Sequence, residues 1–121
     1  MGGGLKKIIE LIEKTFTGVK FISANGYINQ AGLYLSFNGL TPLNALCDSA
    51  HFSIYFCANS LENDNFAALT QIEELREKVF KLGANLGENI FKNCELIANK
   101  DTSLYMYAIN FTINLNGEKN E

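Results

Sequence analysis

The side chains best suited to chemistry are the single histidine, His51, and three cysteines. Cys47 precedes His51 by four residues, a spacing at which a short helix would place a thiol beside a base able to activate it. However, the residues from Phe52 onward alternate as in a strand, so His51 stands at the entry of a strand. No helix start or cluster of bases is evident there to lower the pKa of the thiol. We therefore expect Cys47 to be a loop residue and His51 a polar residue at the end of a strand.

The same histidine, together with Cys47, Cys57 and Cys94, offers ligand types that zinc prefers. His51 and Cys57 lie on one predicted strand at a separation of about 20 Å, given ~3.3 Å per residue, so they cannot share an ion. The sequence also lacks a Cys-x-x-Cys pair. We therefore expect neither a metal nor a cofactor.

Acidic residues and glycines give no stronger catalytic signal. Glu73, Glu74 and Glu77 fall on the charged face of a predicted helix beside lysines, which is typical of a solvated surface. The glycines of Gly83-x-x-x-Gly87 lack the Lys-Ser/Thr end of a phosphate-binding loop. Because no acid, base or metal set is equipped for catalysis, we expect that the chain is not an enzyme.

Composition restricts the class of protein. A chain of 121 residues that is 47% hydrophobic, with a net charge of −3, fits one domain with a real core. The charge includes no basic stripe for nucleic acid, and no apolar run approaches the ~20 residues needed to span a bilayer. Three cysteines without a pairing pattern indicate a reducing, cytoplasm-like compartment. We expect residues 1–4 to form a flexible leader and 116–121 a polar tail.

Two helices are predicted from apolar residues that recur at three- and four-residue spacing. The first covers residues 5–16 and ends at Gly18, and the second runs from Asn65 to Leu82 with Gly83 as its C-terminal cap. The inward-facing side chains of the second helix are predicted to be Phe66, Leu69, Ile72, Val79 and Leu82.

The first strands are predicted to form a hairpin. A short strand at Val19–Ser23 is followed by Asn25-Gly26, a dipeptide that favours a two-residue hairpin turn, and by a return strand over Tyr27–Asn38. The sequence Asn38-Gly39 ends this strand. Residues 39–50 then form a connection with one short helical turn at Thr41-Pro42.

The later strands are predicted from alternation of apolar and polar residues. Strong patterns cover His51–Ala58 and Ser103–Leu115, a weak one covers Glu95–Asn99, and residues 84–94 fit either a helix or a loop. The element order is therefore α-β-β-β-α-β-β. It predicts an α+β fold whose mainly antiparallel sheet of four to five strands carries both helices on one face.

The sheet face opposite the helices would be polar without being charged, because it presents Tyr34, Ser36, Ser53, Tyr55, Asn110 and Thr112. Such a face suits a protein–protein contact, and it also fits an ordinary wet sheet face. The apolar segment 40–46 could likewise either cover the core as a lid or form a contact between subunits. The predicted contact residues are Leu40, Leu43, Leu46, Tyr34, Tyr55, Tyr105, Met106 and Tyr107.

The layout resembles a known family over about residues 5–115. The segments that carry the resemblance are the short N-terminal helix, Gly32–Gly39, Phe52–Asn59, the helix from Ala67 to Gly83 and the terminal strand Leu104–Ile113. Their order and hydrophobic pattern are similar to those of the small tail-completion or tail-terminator proteins of contractile-tailed, Mu-like phages and prophages.

This resemblance implies a structural role without an active site. Such proteins form a ring, typically of six subunits, which caps the tail tube and sheath and joins the tail to the head connector. Partners would be further copies of the chain and tail and connector proteins, with no nucleic-acid specificity and no membrane. The protein would lie in the cytoplasm of the bacterial host during assembly and later in the virion tail. The alternative is a small α+β enzyme or ligand-binding domain with a pocket between helices and sheet.

Overall fold

The computed structural model describes residues 3–22, 31–45, 47–59, 63–98 and 105–116, and within them it contains two helices and five strands. In chain order these are α1 (Gly3–Thr15), β1 (Lys20–Phe21), β2 (Gly32–Asn44), β3 (Cys47–Ala58), α2 (Asn63–Leu86), β4 (Phe91–Ala98) and β5 (Tyr105–Asn116). This order confirms the predicted elements and the α+β class. α1 begins at Gly3, inside the predicted leader, and β5 includes Asn116 of the predicted tail.

The five strands form one sheet in the order β1-β2-β3-β5-β4. All neighbouring pairs except β1 and β2 are antiparallel, which confirms the mainly antiparallel sheet. β3 is central and pairs along its whole length with β5, from Cys47 beside Asn116 to Ala58 beside Tyr105. This order places β1 and β2 at one end of the sheet and β4 at the other.

Both helices pack on one face of the sheet, as predicted. β3 points Phe52 and Ile54 towards them, α1 contributes Ile12 and Phe16, and α2 contributes Val79, and all five side chains are fully buried. Burial of each such side chain stabilises the fold by roughly 1.5–3 kcal/mol. This cluster therefore joins the two helices to the sheet and leaves the other sheet face free of them.

The pairing of β1 with β2 corrects the predicted hairpin. The two strands are parallel, with Lys20 beside Tyr34 and Phe21 beside Leu35. A two-residue turn makes its flanking strands antiparallel, whereas parallel neighbours require the chain to travel back along the sheet between them. The strands are therefore not the two arms of a hairpin, and the Asn25-Gly26 dipeptide itself lies outside the described residues.

β2 continues through the predicted break at Asn38-Gly39. It pairs with β3 as far as Asn44 beside Cys47, so the predicted connection over residues 39–50, with its helical turn, is wrong. A β-bulge between Phe37 and Gly39 accommodates the extra residue, and the φ of 131° at Gly39 is a conformation that favours glycine.

Pro42 lies within β2, where it was expected to start a helical turn. It faces Asp48 of β3, and a second register irregularity follows it. Proline lacks a backbone N–H, so it is confined to edge strands and bulges. β2 meets both conditions here, because its pairing with β1 involves only two residues further back along the strand.

α2 is longer than predicted, and its cap is Gly87 instead of Gly83. The N–H of Gly87 donates to the carbonyl of Ala84 at 3.1 Å, and the N–H of Glu88 donates to the carbonyl of Gly83 at 2.9 Å. These two bonds with a φ of 78° at Gly87 form a Schellman motif. Gly83 is buried inside the helix, where a Cβ would lie 2.5 Å from the carbonyl oxygen of Glu88.

The inward face of α2 also differs from the prediction at its N-terminal end. Phe66 is 50% exposed and Leu69 is 42% exposed, so neither points into the core. The φ of Phe66 is 62°, outside the right-handed helical region, so the regular helical geometry of α2 is interrupted at this residue. The residues that do face the core repeat at alternating spacings of four and three: Ala68, Ile72, Leu75, Val79 and Leu82.

The ambiguous region 84–94 divides between three structures. α2 ends at Leu86, residues 87–90 form a turn, and β4 begins at Phe91. β4 therefore includes most of the weak strand predicted at Glu95–Asn99 and starts four residues earlier. Among the described residues β4 pairs only with β5, so within this part of the chain its other side is an open edge of the sheet.

Candidate functional site

The outer face, defined as the sheet face opposite the helices, presents side chains in rows that cross the strands. The register places Tyr34 beside Tyr55 in one row, and Ser36, Ser53 and Asn110 side by side in the next. Among these, Ser53 is buried by its neighbours although no helix covers it. On β2, β3 and β5 the outer face therefore presents mainly uncharged polar and aromatic groups held closely together, while β4 adds Glu95.

A chain of hydrogen bonds runs across four strands of the outer face. Asn38 Nδ2 donates to Ser53 Oγ at 2.8 Å, and Ser53 Oγ donates to Asn110 Oδ1. Asn110 Nδ2 then donates to Asn93 Oδ1 at 2.7 Å and to Glu95 Oε2 at 3.3 Å. The row joins β2, β3, β5 and β4 through side chains, in addition to the backbone pairing.

A second row contains His51. Its Nε2 lies 2.8 Å from Thr41 Oγ1, and its Nδ1 lies 3.1 Å from Thr112 Oγ1. His51 therefore bridges β2 and β5 and has both ring nitrogens engaged. Cys47 is on the same strand four residues away, about 13 Å at ~3.3 Å per residue, so the strand separates the thiol from the base that a helix would have brought together.

A third row lies at the end of the sheet where β4 is absent. Ser49 Oγ donates to Asn114 Oδ1 at 2.8 Å, and Asn114 Nδ2 donates to Glu88 Oε1 at 3.1 Å. Within the described residues every buried side-chain nitrogen or oxygen has a hydrogen-bond partner. The outer face thus holds its polar groups in fixed positions, which limits the entropy lost when another surface covers them.

The predicted aromatic contact residues divide between the two sheet faces. Tyr34, Tyr55 and Met106 lie on the outer face, each partly buried, whereas Tyr105 and Tyr107 point towards the helix side. This division follows from the two-residue period of a strand, because Met106 must face opposite to both of its neighbours. The five residues therefore do not form one cluster.

The apolar segment 40–46 lies at the β2–β3 turn. Leu40 is 45% exposed and Leu43 is 53% exposed, so neither is buried as a lid over the core. Leu46 lies outside the described residues. Leu40 is beside Ala50, on the helix side of the sheet, where neither α1 nor α2 shields it from solvent.

Among the described residues, the exposed large apolar side chains occupy two opposite ends of the sheet. The β2 edge, defined by Phe21, Leu40 and Leu43, lies on β1 and β2. At the other end is the α2–β4 edge, defined as Phe66, Leu69, Phe80, Leu96 and Ile97. Sequence reasoning found part of the β2 edge and missed the α2–β4 edge.

An aromatic cluster fixes the geometry of the α2–β4 edge. The rings of Phe80 and Phe91 are 5.3 Å apart, and the guanidinium of Arg76 lies 4.6 Å from the first ring and 5.5 Å from the second. Leu69, Arg76, Phe80 and Gly83 form one stripe along α2, and Gly83 abuts the start of β4. The stripe that carries Leu69 therefore faces the open side of β4.

A groove formed by described residues lies on α1, away from the position between helices and sheet that a small enzyme or ligand-binding domain would use. It has a volume of about 450 Å³, is shallow, and is lined by Leu5, Lys6, Ile9, Glu10 and Glu13. Lys6 Nζ and Glu10 Oε2 form a long, exposed ion pair of 4.0 Å across it. No group of three or more His, Cys, Asp or Glu within the described residues is arranged to hold a metal ion.

Two of the cysteines, Cys57 and Cys94, have thiols whose pKa is raised. Cys57 is 1% exposed, and burial raises the pKa of its thiol to about 11. Burial, and secondarily the charge of Glu95, also raises the pKa of Cys94. A raised pKa lowers the fraction of thiolate, which is the nucleophilic form, so neither thiol is activated.

Comparison with known proteins assigns no family. No protein-family model matches the chain, and no curated protein matches it. Neither α1 nor α2, over the part of the chain that the structure describes, combines the length and the apolar character needed to cross a membrane.

Proposed function

We propose that this chain is a structural assembly protein, a ring subunit that terminates or completes the tail of a contractile-tailed phage or prophage and contacts the head–tail connector. The resemblance in element order over about residues 5–115 suggests the family. The α+β architecture, with its confirmed order of elements, is compatible with that layout.

The observation that carries the proposal is the presence of two different apolar edges at opposite ends of one sheet. When a subunit uses two different surfaces to bind copies of itself, association proceeds head to tail and produces a ring if the rotation closes. A single self-complementary patch would instead stop at a dimer. The placement of the β2 edge and the α2–β4 edge therefore favours a ring subunit.

The outer face supplies a second surface once the edges are occupied. It is rich in Tyr, Ser and Asn, residues that make adaptable contacts with other proteins. Its cross-strand hydrogen bonds hold these side chains in place before a partner arrives. We assign this face to contacts with the tail or the connector.

Light scattering and negative-stain imaging of the purified chain test the proposal. We expect a closed ring, most simply of six subunits. Leu69→Asp places a charge on the α2–β4 edge and is expected to abolish the ring. Thr70→Asp places the same charge on the neighbouring exposed position, off the stripe, and is expected to preserve it.

A second measurement addresses the tail itself. Antibody raised against the chain should label the head-proximal end of tails in particles produced by the bacterium that encodes it. The proposed function would be refuted if the chain remained monomeric at all concentrations and the antibody labelled no tail. Equal assembly of the two aspartate variants would refute the role given to the α2–β4 edge.

A further inference from the structure

We propose that the β2 edge of one copy packs against the α2–β4 edge of the next copy, through side chains and without continuation of the sheet. This inference rests on the proposed ring and identifies the two surfaces that meet in it. Its occupant is a second copy of this chain, and the argument comes from position, area and the condition of the strand edges.

Both edges present their apolar side chains in the same layer of the molecule. Phe21 lies beside the buried Leu35, and Leu40 beside the buried Ala50, so these two side chains of the β2 edge are on the helix side of the sheet. Leu96 is on the helix side of β4, the side on which α2 carries its exposed stripe. If two copies lie side by side in the same orientation, the apolar side chains of the β2 edge of one copy therefore meet those of the α2–β4 edge of the other.

The exposed area is appropriate for such a contact. The side chains that define the two edges are each about half exposed. An apolar side chain of this size then exposes on the order of 100 Å² of surface. One β2 edge and one α2–β4 edge together supply about 800 Å² of apolar surface, and a polar rim adds to it. The apolar share of an interface is about 60%, so 800 Å² of apolar surface corresponds to an interface of about 1,300 Å² in total. This lies at the lower end of the roughly 1,200–2,000 Å² that specific interfaces bury.

The strand edges themselves are poorly suited to backbone pairing. Pro42 of β2 has no N–H to donate, and a β-bulge lies between Phe37 and Gly39. β4 has register shifts at Lys92 and Ile97, which interrupt its row of free backbone groups. Bulges and prolines at an edge are features that prevent strands from adding to a sheet. The contact is therefore assigned to the exposed side chains.

Cysteine cross-linking with mixed variants tests the orientation of the contact. Leu43→Cys and Ile97→Cys place one thiol on each edge, in a background of Cys47→Ser and Cys94→Ser. Cys57 remains, because it is buried and gives no reactive thiolate. The two variants are purified separately, mixed, allowed to exchange subunits, and treated with a short bismaleimide. Lys7→Cys on the exposed side of α1 replaces each partner in turn as the control.

We expect covalent dimers only when Leu43→Cys is mixed with Ile97→Cys, at least tenfold more than in either variant alone or in the Lys7→Cys mixtures. Strong cross-linking within either variant alone would show like edges in contact and overturn the inference, even if a ring forms. Equal cross-linking in the control mixtures would overturn it as well. A chain that remains monomeric would instead remove the ring on which the inference rests. Unchanged thermal melting of the variants establishes that they are folded.

Discussion

Replacement of Gly83 by alanine should destabilise the protein, against the usual effect of this substitution in a helix. In an ordinary helix interior alanine is favoured over glycine by about 1 kcal/mol, because glycine has more backbone freedom to lose. Gly83 lies within α2 and is fully helical, so propensity alone predicts a gain in stability.

The structure reverses the sign because the chain returns over Gly83. A Cβ there would lie 2.5 Å from the carbonyl oxygen of Glu88, 3.2 Å from Cγ1 of Ile90 and 3.4 Å from the backbone nitrogen of Ile90. The nearest atom belongs to the backbone of the Schellman turn, so the turn itself must move. Inserting one methyl group into a packed site costs typically 1–3 kcal/mol, and the 2.5 Å approach to a backbone oxygen places this site at the upper end of that range. After subtraction of the gain of about 1 kcal/mol in propensity, we expect a net loss of about 2 kcal/mol.

Urea denaturation followed by circular dichroism measures this change as a shift in midpoint at constant slope. Gly4→Ala is the matched control, since Gly4 is also helical and a Cβ there meets nothing within 4 Å. We expect the control to be neutral or to gain up to about 1 kcal/mol. If Gly83→Ala proves as stable as the parent or more so, the close approach of Glu88 and Ile90 to α2 is wrong.

Two further predictions concern the outer face of the sheet. Asn110→Ala removes the acceptor of the buried Ser53 hydroxyl and should lower the free energy of unfolding by about 1–3 kcal/mol. Ser53→Ala should then cost less in the Asn110→Ala background than it costs in the parent protein. Additive losses in urea denaturation would contradict this coupling. The free energy of unfolding should also fall as the pH rises from about 9 to about 11, since the pKa of Cys57 is raised to about 11 and the unfolded chain ionises first. This loss, of up to ~1.4 kcal/mol per pH unit, should be missing from Cys57→Ala, and identical pH slopes for both proteins would refute it.

The α2–β4 edge illustrates a limit of reasoning from helical periodicity. The apolar residues of α2 form two overlapping stripes, and the predicted inward set combines Phe66 and Leu69 with three residues that do face the core, Ile72, Val79 and Leu82. Only the packing of α2 on β4 and β5 shows that the stripe through Ala68 and Leu75 is buried and that Leu69 is outside. The exposed side of the helix, and with it a candidate contact surface, therefore depends on the neighbours of α2.

The candidate contact residues on strands were easier to predict than their grouping. Alternation alone places Tyr34 and Tyr55 on the face opposite the core, because successive side chains of a strand point in opposite directions. The rows that join Asn38, Ser53 and Asn110 require the register between strands that are distant in the sequence. Register depends on pairing across the whole sheet, which no local pattern contains.

Local pattern was sufficient for the order of elements, the α+β class and the core-facing side of β3, since these depend on the periods of helix and strand. Tertiary structure alone decided the parallel pairing of β1, the passage of β2 through Asn38-Gly39 and the cap at Gly87 in place of Gly83. Gly39 and Gly83 each have more than one locally acceptable conformation. Pairing with β3 selects an extended strand at Gly39, and packing against Glu88 and Ile90 keeps Gly83 within the helix.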